Sequence, residues 1–455
     1  MRRIALAGLL VTALASGAFA NGRAPGTSTI HFRQGHETDI AAGMTFGLLL
    51  SHDGGTTWHW MCEAAVGYGG LWDPDYSYLQ NGNLFATTFS GLMSMSDGCT
   101  FNSTSFGSLF VSTDEADGTT LLFGAADPHD DKVYKSTDQG MTFPTSATPT
   151  GATDNDWYTS MMFAPSDATK VYLAGYRFTG QTKSFLLYKS IDGGSTFTAM
   201  AQTGLPAMPA SSSSIDVVGI DHATPSTLYV RVSYANGSLG DAIYKSTNSG
   251  LSWTQILSKG DTISFLARAN GDLVAGTKTL GAFKSTNGGT NWTALTSPPQ
   301  INCLAENSAG EVWACTQNFD TMNGSGATIP GDGYGIMKTT DLATWTGVLH
   351  YQDIQGPVDC ATGTIQHDTC QAMNWCGLKS QLGITSTAVD CSGILDDAGP
   401  DGGNGSGSNG SGLGGDTTKN PKGCCDTGPG SAPPLVMGLL VGLVLLRRQR
   451  RAKEM

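Results

Sequence analysis

One eight-residue pattern recurs seven times along the chain, and any fold proposed for it has to account for that. The clearest copy is Ser51-His52-Asp53-Gly54-Gly55-Thr56-Thr57-Trp58. The copies at 136–143 and 190–197 keep the acidic position as Asp138 and Asp192, and those at 246–253 and 285–292 replace it with Asn248 and Asn287. The copy at 94–101 puts Ser96 there, with Asp97 beside it, and the copy at 339–345 keeps Asp341 but is one residue short. Every copy ends on an aromatic: Trp58, Phe101, Phe143, Phe197, Trp253, Trp292 or Trp345. The copies start 39 to 56 residues apart. A period of this size marks a repeat architecture, and about 40–50 residues is what one four-stranded propeller blade needs.

Each part of the pattern has a physical task. An Asp or Asn side chain accepts hydrogen bonds from the amides of its own tight turn. Glycine supplies a backbone angle other residues resist. The Ser and Thr hydroxyls bond locally to the same turn. The terminal aromatic starts the next strand and is expected to drive into the core. Most copies follow an apolar-aromatic-Lys strand end, as in Val133-Tyr134-Lys135, Leu187-Tyr188-Lys189, Ile243-Tyr244-Lys245 and Ala282-Phe283-Lys284.

These residues resemble the Asp-box, or bacterial neuraminidase, repeat. The resemblance implies an all-β fold: a seven-bladed β-propeller of four-stranded antiparallel blades over residues 27–353, with each box between the third and fourth strands of its blade. In the fourth unit the pattern predicts strands at 159–164, 170–175, 184–190 and 196–201. In the seventh it predicts 301–305, 311–316, 335–339 and 344–349. The first unit reads as complete from Thr29, with no obvious strand borrowed from the far end, and the pattern leaves open how the ring closes.

Both ends read as addresses. Arg2 and Arg3, an apolar run at 4–14 and Ala18-Phe19-Ala20 form a signal peptide over residues 1–20. A Gly/Ser-rich linker at 399–422 leads to a tail at 423–455, in which Cys424 and Cys425 precede a short apolar helix and an arginine cluster. That order of parts resembles the myxobacterial MYXO-CTERM sorting tail. It implies export, processing or lipidation near Cys424 or Cys425, and display at the outer membrane or surface of a Gram-negative cell. The net charge of −13 argues against nucleic acid and anionic lipid as partners. The ten cysteines are expected to pair in an oxidising compartment: Cys303 with Cys315, Cys62 with Cys99, and Cys360, Cys370, Cys376 and Cys391 as two bridges within a small module at 356–396. No Cys-x-x-Cys pair calls for structural zinc.

In such a ring the boxes and the turns between strands one and two share one face. The loops after strands two and four line the other, where ligands are expected. Those loops carry Trp72, Asp73, Tyr76, Asp154, Asp156, Trp157 and Arg177 as candidate ligand-binding residues, since aromatic and carboxylate groups at a pore mouth suit a sugar, a cation or a peptide. No cofactor is expected, although Asp127, Asp130 and Asp131 are close enough in sequence to raise calcium. No catalytic residue is assigned. A sialidase needs three converging arginines, but Arg33 and Arg268 fall on the box face while Arg177 falls on the other. Xyloglucan-cleaving hydrolases clasp their polymer between two such rings, and this chain has one. The expectation is therefore a monomeric binding or docking module for a cell-envelope protein or glycan, with glycoside hydrolysis by loop carboxylates as the alternative.

Overall fold

The computed structural model describes residues 23–391 other than 70–71, 108, 126–129, 181, 208–212, 234–239, 278–279, 323–327, 386–388 and 390. The signal peptide, linker and tail, with Cys424 and Cys425, lie outside the described residues, as does Asp127. The ring and the segment following it fall in one compact unit; Met322 and Thr328 fall in a second.

Seven antiparallel four-stranded sheets follow one another in chain order. Blade 1 is Thr27–Phe32, Ile40–Met44, Gly47–Ser51 and His59–Met61. The first strands of blades 2 to 7 are Tyr76–Tyr78, Val111–Asp117, Asp156–Ala164, Ser214–Ile220, Thr262–Ala267 and Cys303–Glu306. Each first strand packs beside those of its neighbours, and that of blade 1 packs against blade 7, so the series closes. The middle strands are covered on both faces by adjacent blades. Their residues therefore read as apolar runs rather than alternation, as in the wholly buried Gly47–Ser51. Strand boundaries depart from the sequence reading most in blade 4, where the first two strands lengthen to Asp156–Ala164 and Asp167–Thr179 and the outer strand shortens to Thr198–Ala199; in blade 7 the outer strand shortens to Thr346–Leu349.

The repeated turns follow one hydrogen-bonding scheme. Ser51 Oγ donates to Asp53 Oδ1 and accepts from the Gly55 amide, both at 2.9 Å. Asp53 Oδ1 also accepts from the Thr56 and Thr57 amides, and Oδ2 accepts from the Thr57 hydroxyl. Ser136/Asp138 and Ser190/Asp192 repeat the scheme, and Asn248 and Asn287 reproduce its amide-accepting half. In blade 2 it is Asp97, not Ser96, that accepts from the Cys99 and Thr100 amides. The expected position is thus displaced by one residue. In blade 7 the shortened turn puts Leu342 at a φ of 62°, where the longer copies use glycine. Of the terminal aromatics, Trp58, Phe101, Phe197 and Trp253 are buried, whereas Phe143, Trp292 and Trp345 are half-buried.

The turn glycines also join the blades. Gly55 has a φ of 87°, and a Cβ there would lie 2.7 Å from Val348 of blade 7. Gly140, Gly194, Gly250 and Gly289 likewise press on Phe85, Leu122, Met200 and Ile256 of the preceding blade. The lysine before a turn reaches the other way: Lys135, Lys189 and Lys245 each donate to the turn of the following blade. The motif is therefore an inter-blade joint as well as a local turn, and blade 1 docks on blade 7 by the contact used elsewhere in the ring.

The cysteines correct the sequence reading. Cys303 and Cys315 pair as neighbours on adjacent strands, as expected, and Cys376 pairs with Cys391. Cys62 does not pair with Cys99. Cys62 joins Cys370, and Cys99 joins Cys360. The segment after the ring is thus bolted to blades 1 and 2 rather than closed on itself. Gly356–Pro357 adds a short parallel strand outside His59–Met61, and Trp375 packs on Trp60. The Gln366 amide donates to the Trp60 carbonyl. The outer edge of blade 1 is thereby covered, which removes a strand edge open to pairing.

Candidate functional site

First strands run from the face opposite the repeated turns toward the turns. Second strands run back, so the loops after strands two and four bring residues from different blades together on that opposite face. There an aromatic strip crosses blades 2 to 4. Phe89, at the end of the second strand of blade 2, stacks on Phe110, at the entry to blade 3, with centroids 4.3 Å apart and planes 11° apart. Trp72 meets both rings edge-on. Phe110 meets Trp157 at 5.5 Å, and Trp157 lies parallel to Tyr176 at 6.2 Å. Phe178 closes the row at 5.3 Å from Tyr176. Phe89 is 53% exposed, and Trp72, Trp157, Tyr176 and Phe178 are half-buried. The Lys183 ammonium sits 3.8 Å from the Tyr176 centroid, a cation–π contact built into the strip.

The predicted ligand residues divide between this strip and the framework under it. Trp72 and Trp157 belong to the strip, joined through Phe110. Asp73 is held by both terminal nitrogens of Arg23. Tyr76 is buried between blades 1 and 2, with its ring 5.8 Å from His31. Asp156 is buried and accepts from Arg177 Nε and Nη2, the Thr153 hydroxyl and Tyr188. Asp156 and Arg177 therefore fasten the loop to its blade instead of presenting charge to a ligand. Asp154 is exposed at the loop's surface. Asp130 accepts from the Tyr134 hydroxyl and the Lys132 amide, so it too serves its own loop. The sequence reading missed Phe89, Phe110, Tyr176 and Phe178. The only signal available was that each is an aromatic at a strand end on the ligand side.

Each of the five described arginines pairs with a carboxylate: Arg23 with Asp73, Arg33 with Asp39, Arg177 with Asp156, Arg231 with Asp216 and Arg268 with Glu306. They are spread around the ring, so no three converge. Near the Arg23–Asp73 pair, burial pushes the Glu63 carboxyl up to about 6, against the pull of Arg23.

Fold and site place the chain among seven-bladed β-propellers. No family model matches it, and no curated relative matches it. Solved structures of similar fold include the extracellular domain of a putative one-component system from B. thetaiotaomicron, at 16% identity and TM-score 0.47. That match covers 71% of this chain and 45% of the other. An ancestral GH74 enzyme is 14% identical, with TM-score 0.48, over 74% of this chain and 55% of its own. The GH74 xyloglucanase from Xanthomonas campestris is 12% identical, with TM-score 0.37, over 71% and 66%. The chain spans about half the length of the first two.

Proposed function

We propose that this protein is an exported, surface-anchored Asp-box propeller that binds a glycan or protein ligand along the aromatic strip, and that a glycan fits it better. The observation that carries this is the strip itself. Exposed Phe89 and half-buried Trp72, Trp157, Tyr176 and Phe178 run across three blades, and rings accessible in such a row suit the apolar faces of successive sugar rings, with polar groups at the margin to orient them. The four disulfides support an oxidising destination, and the sequence of the tail supports attachment at the outer membrane. The test is an oligosaccharide array probed with the full-length protein and with Phe89→Ala and Trp157→Ala. Saturable binding that falls at least tenfold in both variants, with unchanged melting, supports the reading. No glycan binding, or binding indifferent to both changes, sinks it, and a protein captured through the same strip would replace the glycan.

A second reading is glycoside hydrolysis, favoured by the Glu63 carboxyl, which burial raises to about 6 near the Arg23–Asp73 ion pair, since such chemistry uses a carboxyl raised toward neutrality as its acid. Release of reducing sugar by the protein, lost in Glu63→Gln, supports it; an inert protein that still binds oligosaccharide excludes it.

A further inference from the structure

Blade 4 carries a longer central hairpin toward the ligand side than blades 1 and 2. In those two blades the second strand runs five residues from the partner of the residue that opens the turn. Ile40 pairs with Ser51 and the strand ends at Met44; Leu84 pairs with Met95 and the strand ends at Thr88. In blade 4 Val171 pairs with Ser190, and the strand continues for nine residues to Thr179 before returning as Thr182–Ser190. The four added residues lengthen the hairpin by about 13 Å. Side chains alternate between the faces of a sheet. Trp157 lies opposite Tyr176, and Phe178 opposite Lys183, so these four share one face. Asp156 and Arg177 pair on the other. The hairpin thus turns its fastening ion pair one way and its aromatics with Lys183 the other.

Lys183 differs from the other cations of the ring. Each described arginine has a carboxylate, as have Lys170, Lys284 and Lys338. Lys135, Lys189 and Lys245 are used as joints between blades. The Lys183 ammonium instead lies over two rings of the strip, 3.8 Å from the Tyr176 centroid and 5.3 Å from that of Phe178. Among the described residues no carboxylate oxygen comes within 4.0 Å of it. Half-burial lowers its pKa, and no neighbouring charge opposes that shift. The rings replace part of the lost hydration, but an ammonium drawn out of water without an anion costs stability. Its counter-charge is missing at the one end of the strip where the rings stand on a projecting arm.

We infer that Lys183 receives an anionic group of the ligand, and that the strip selects a glycan whose otherwise neutral backbone carries isolated uronic acid residues. This rests on the glycan reading of the strip and names its substrate class. The carboxylate of a uronic acid stands off the edge of the sugar ring. A sugar lying over Trp157 and Tyr176 therefore brings it toward the ammonium at the platform's edge. A lysine meets it as a compact point charge, without the fixed fork of an arginine. The net charge of −13 opposes a polyuronate, every group of which would meet that field. A lone carboxylate is screened from charges farther than about 8 Å at physiological salt and is drawn by Lys183 at contact. Sparse acidic sugars on a neutral chain fit both conditions.

The test is an array of oligosaccharides in which each uronate-bearing member is matched by its methyl ester, probed with the full-length protein at low and high sodium chloride. At low salt the acids should bind at least tenfold more tightly than their esters, and high salt should narrow the gap. Lys183→Met should bring the affinity of each acid down to that of its ester, whereas Lys183→Arg should keep most of the preference. Melting temperatures equal to the wild type's in both variants would assign the loss to the contact and not to the fold. Esters that bind as tightly as acids overturn the inference, as does a preference that survives Lys183→Met. In either case the glycan reading stands if binding still falls in Trp157→Ala. An array on which no member binds removes both.

Discussion

Aspartate serves opposite ends in two regions of this ring. In the repeated turns Asp53, Asp138 and Asp192 sit near the surface with their oxygens engaged by amides and hydroxyls. In Asp138 the Thr142 hydroxyl and amide hold the carboxyl down to about 2. In Asp53 the Thr57 amide and hydroxyl do so to the same value, against a desolvation penalty. At the inner strands Asp75 and Asp114 are enclosed and short of donors, and their carboxyls rise instead. Exposure alone would have made the turn aspartates ordinary, so the supply of donors sets the difference. An aspartate that closes a turn is part of the backbone's hydrogen bonding; one enclosed inside the ring with fewer donors holds its proton more tightly.

The turns depend first on the aromatic that follows them. Trp58 is 2% exposed and donates through Nε1 to the Gly55 carbonyl, and the turn it anchors packs on blade 7. Trp58→Ala should cost about 3–5 kcal/mol, read as a lower urea midpoint. The same change at half-buried Trp292 should cost clearly less. Equal losses would mean that the plugs, and not the joints between blades, set stability. Removing the turn carboxylate comes next. Asp53→Ala strips acceptors from two amides and two hydroxyls, but water reaches the turn, so the cost should be about 1–2 kcal/mol.

At the inner strands the sign reverses. Asp114→Asn replaces an enclosed carboxyl whose ionisation burial opposes, so it should stabilise the protein at neutral pH by roughly 1 kcal/mol. The pH dependence sharpens the contrast. A carboxyl whose folded pKa is raised favours folding most when both states are protonated. For Asp75, stability is greatest below the unfolded value near 3.8 and is lost as the pH rises through about 6. For Asp53 the folded value is depressed. Its contribution is present above 3.8 and is lost as the pH falls toward about 2. Melting temperature against pH should therefore peak on the acid side, near 4, and Asp114→Asn should flatten the decline between 4 and 6. A peak at neutral pH that the variant leaves alone would show that the inner acids carry no penalty.

The turns were legible in the sequence because every partner in them lies within four residues. Even the exchange of Ser96 for Asp97 is a local slip of one position. The seven-bladed ring followed from counting such turns. The bridges of Cys62 and Cys99 were not legible, since their partners lie 308 and 261 residues away and only the folded course of the segment after the ring brings them near. Trp72 and Trp157 stood out as tryptophans in loops. Phe89, Phe110, Tyr176 and Phe178 join them only because adjacent blades bring strand ends together. Asp114 and Glu115 fall within a strand, where no motif separates an acid facing the ring's centre from one facing solvent.

The smallest predicted effect probes the turns most directly. Asn248 shows what an amide does in the acidic position: its Oδ1 accepts from the Ser246 hydroxyl and the Ser252 amide, while its Nδ2 donates to the Ser252 hydroxyl. Asp192→Asn should reproduce this, with the Thr196 hydroxyl turning from donor to acceptor, and should cost less than about 0.5 kcal/mol at pH 7. Its real consequence lies in acid. The Asp192 carboxyl is held low by Thr196 and Ser190 in spite of desolvation, so the wild-type turn weakens as the pH drops below the unfolded value of 3.8. An asparagine there does not titrate. Urea midpoints for the two proteins should coincide at neutral pH and separate in favour of the variant as the pH falls through 3. A variant that loses stability at pH 7 as heavily as Asp53→Ala would show that the charge, and not the pattern of accepted hydrogen bonds, holds these turns.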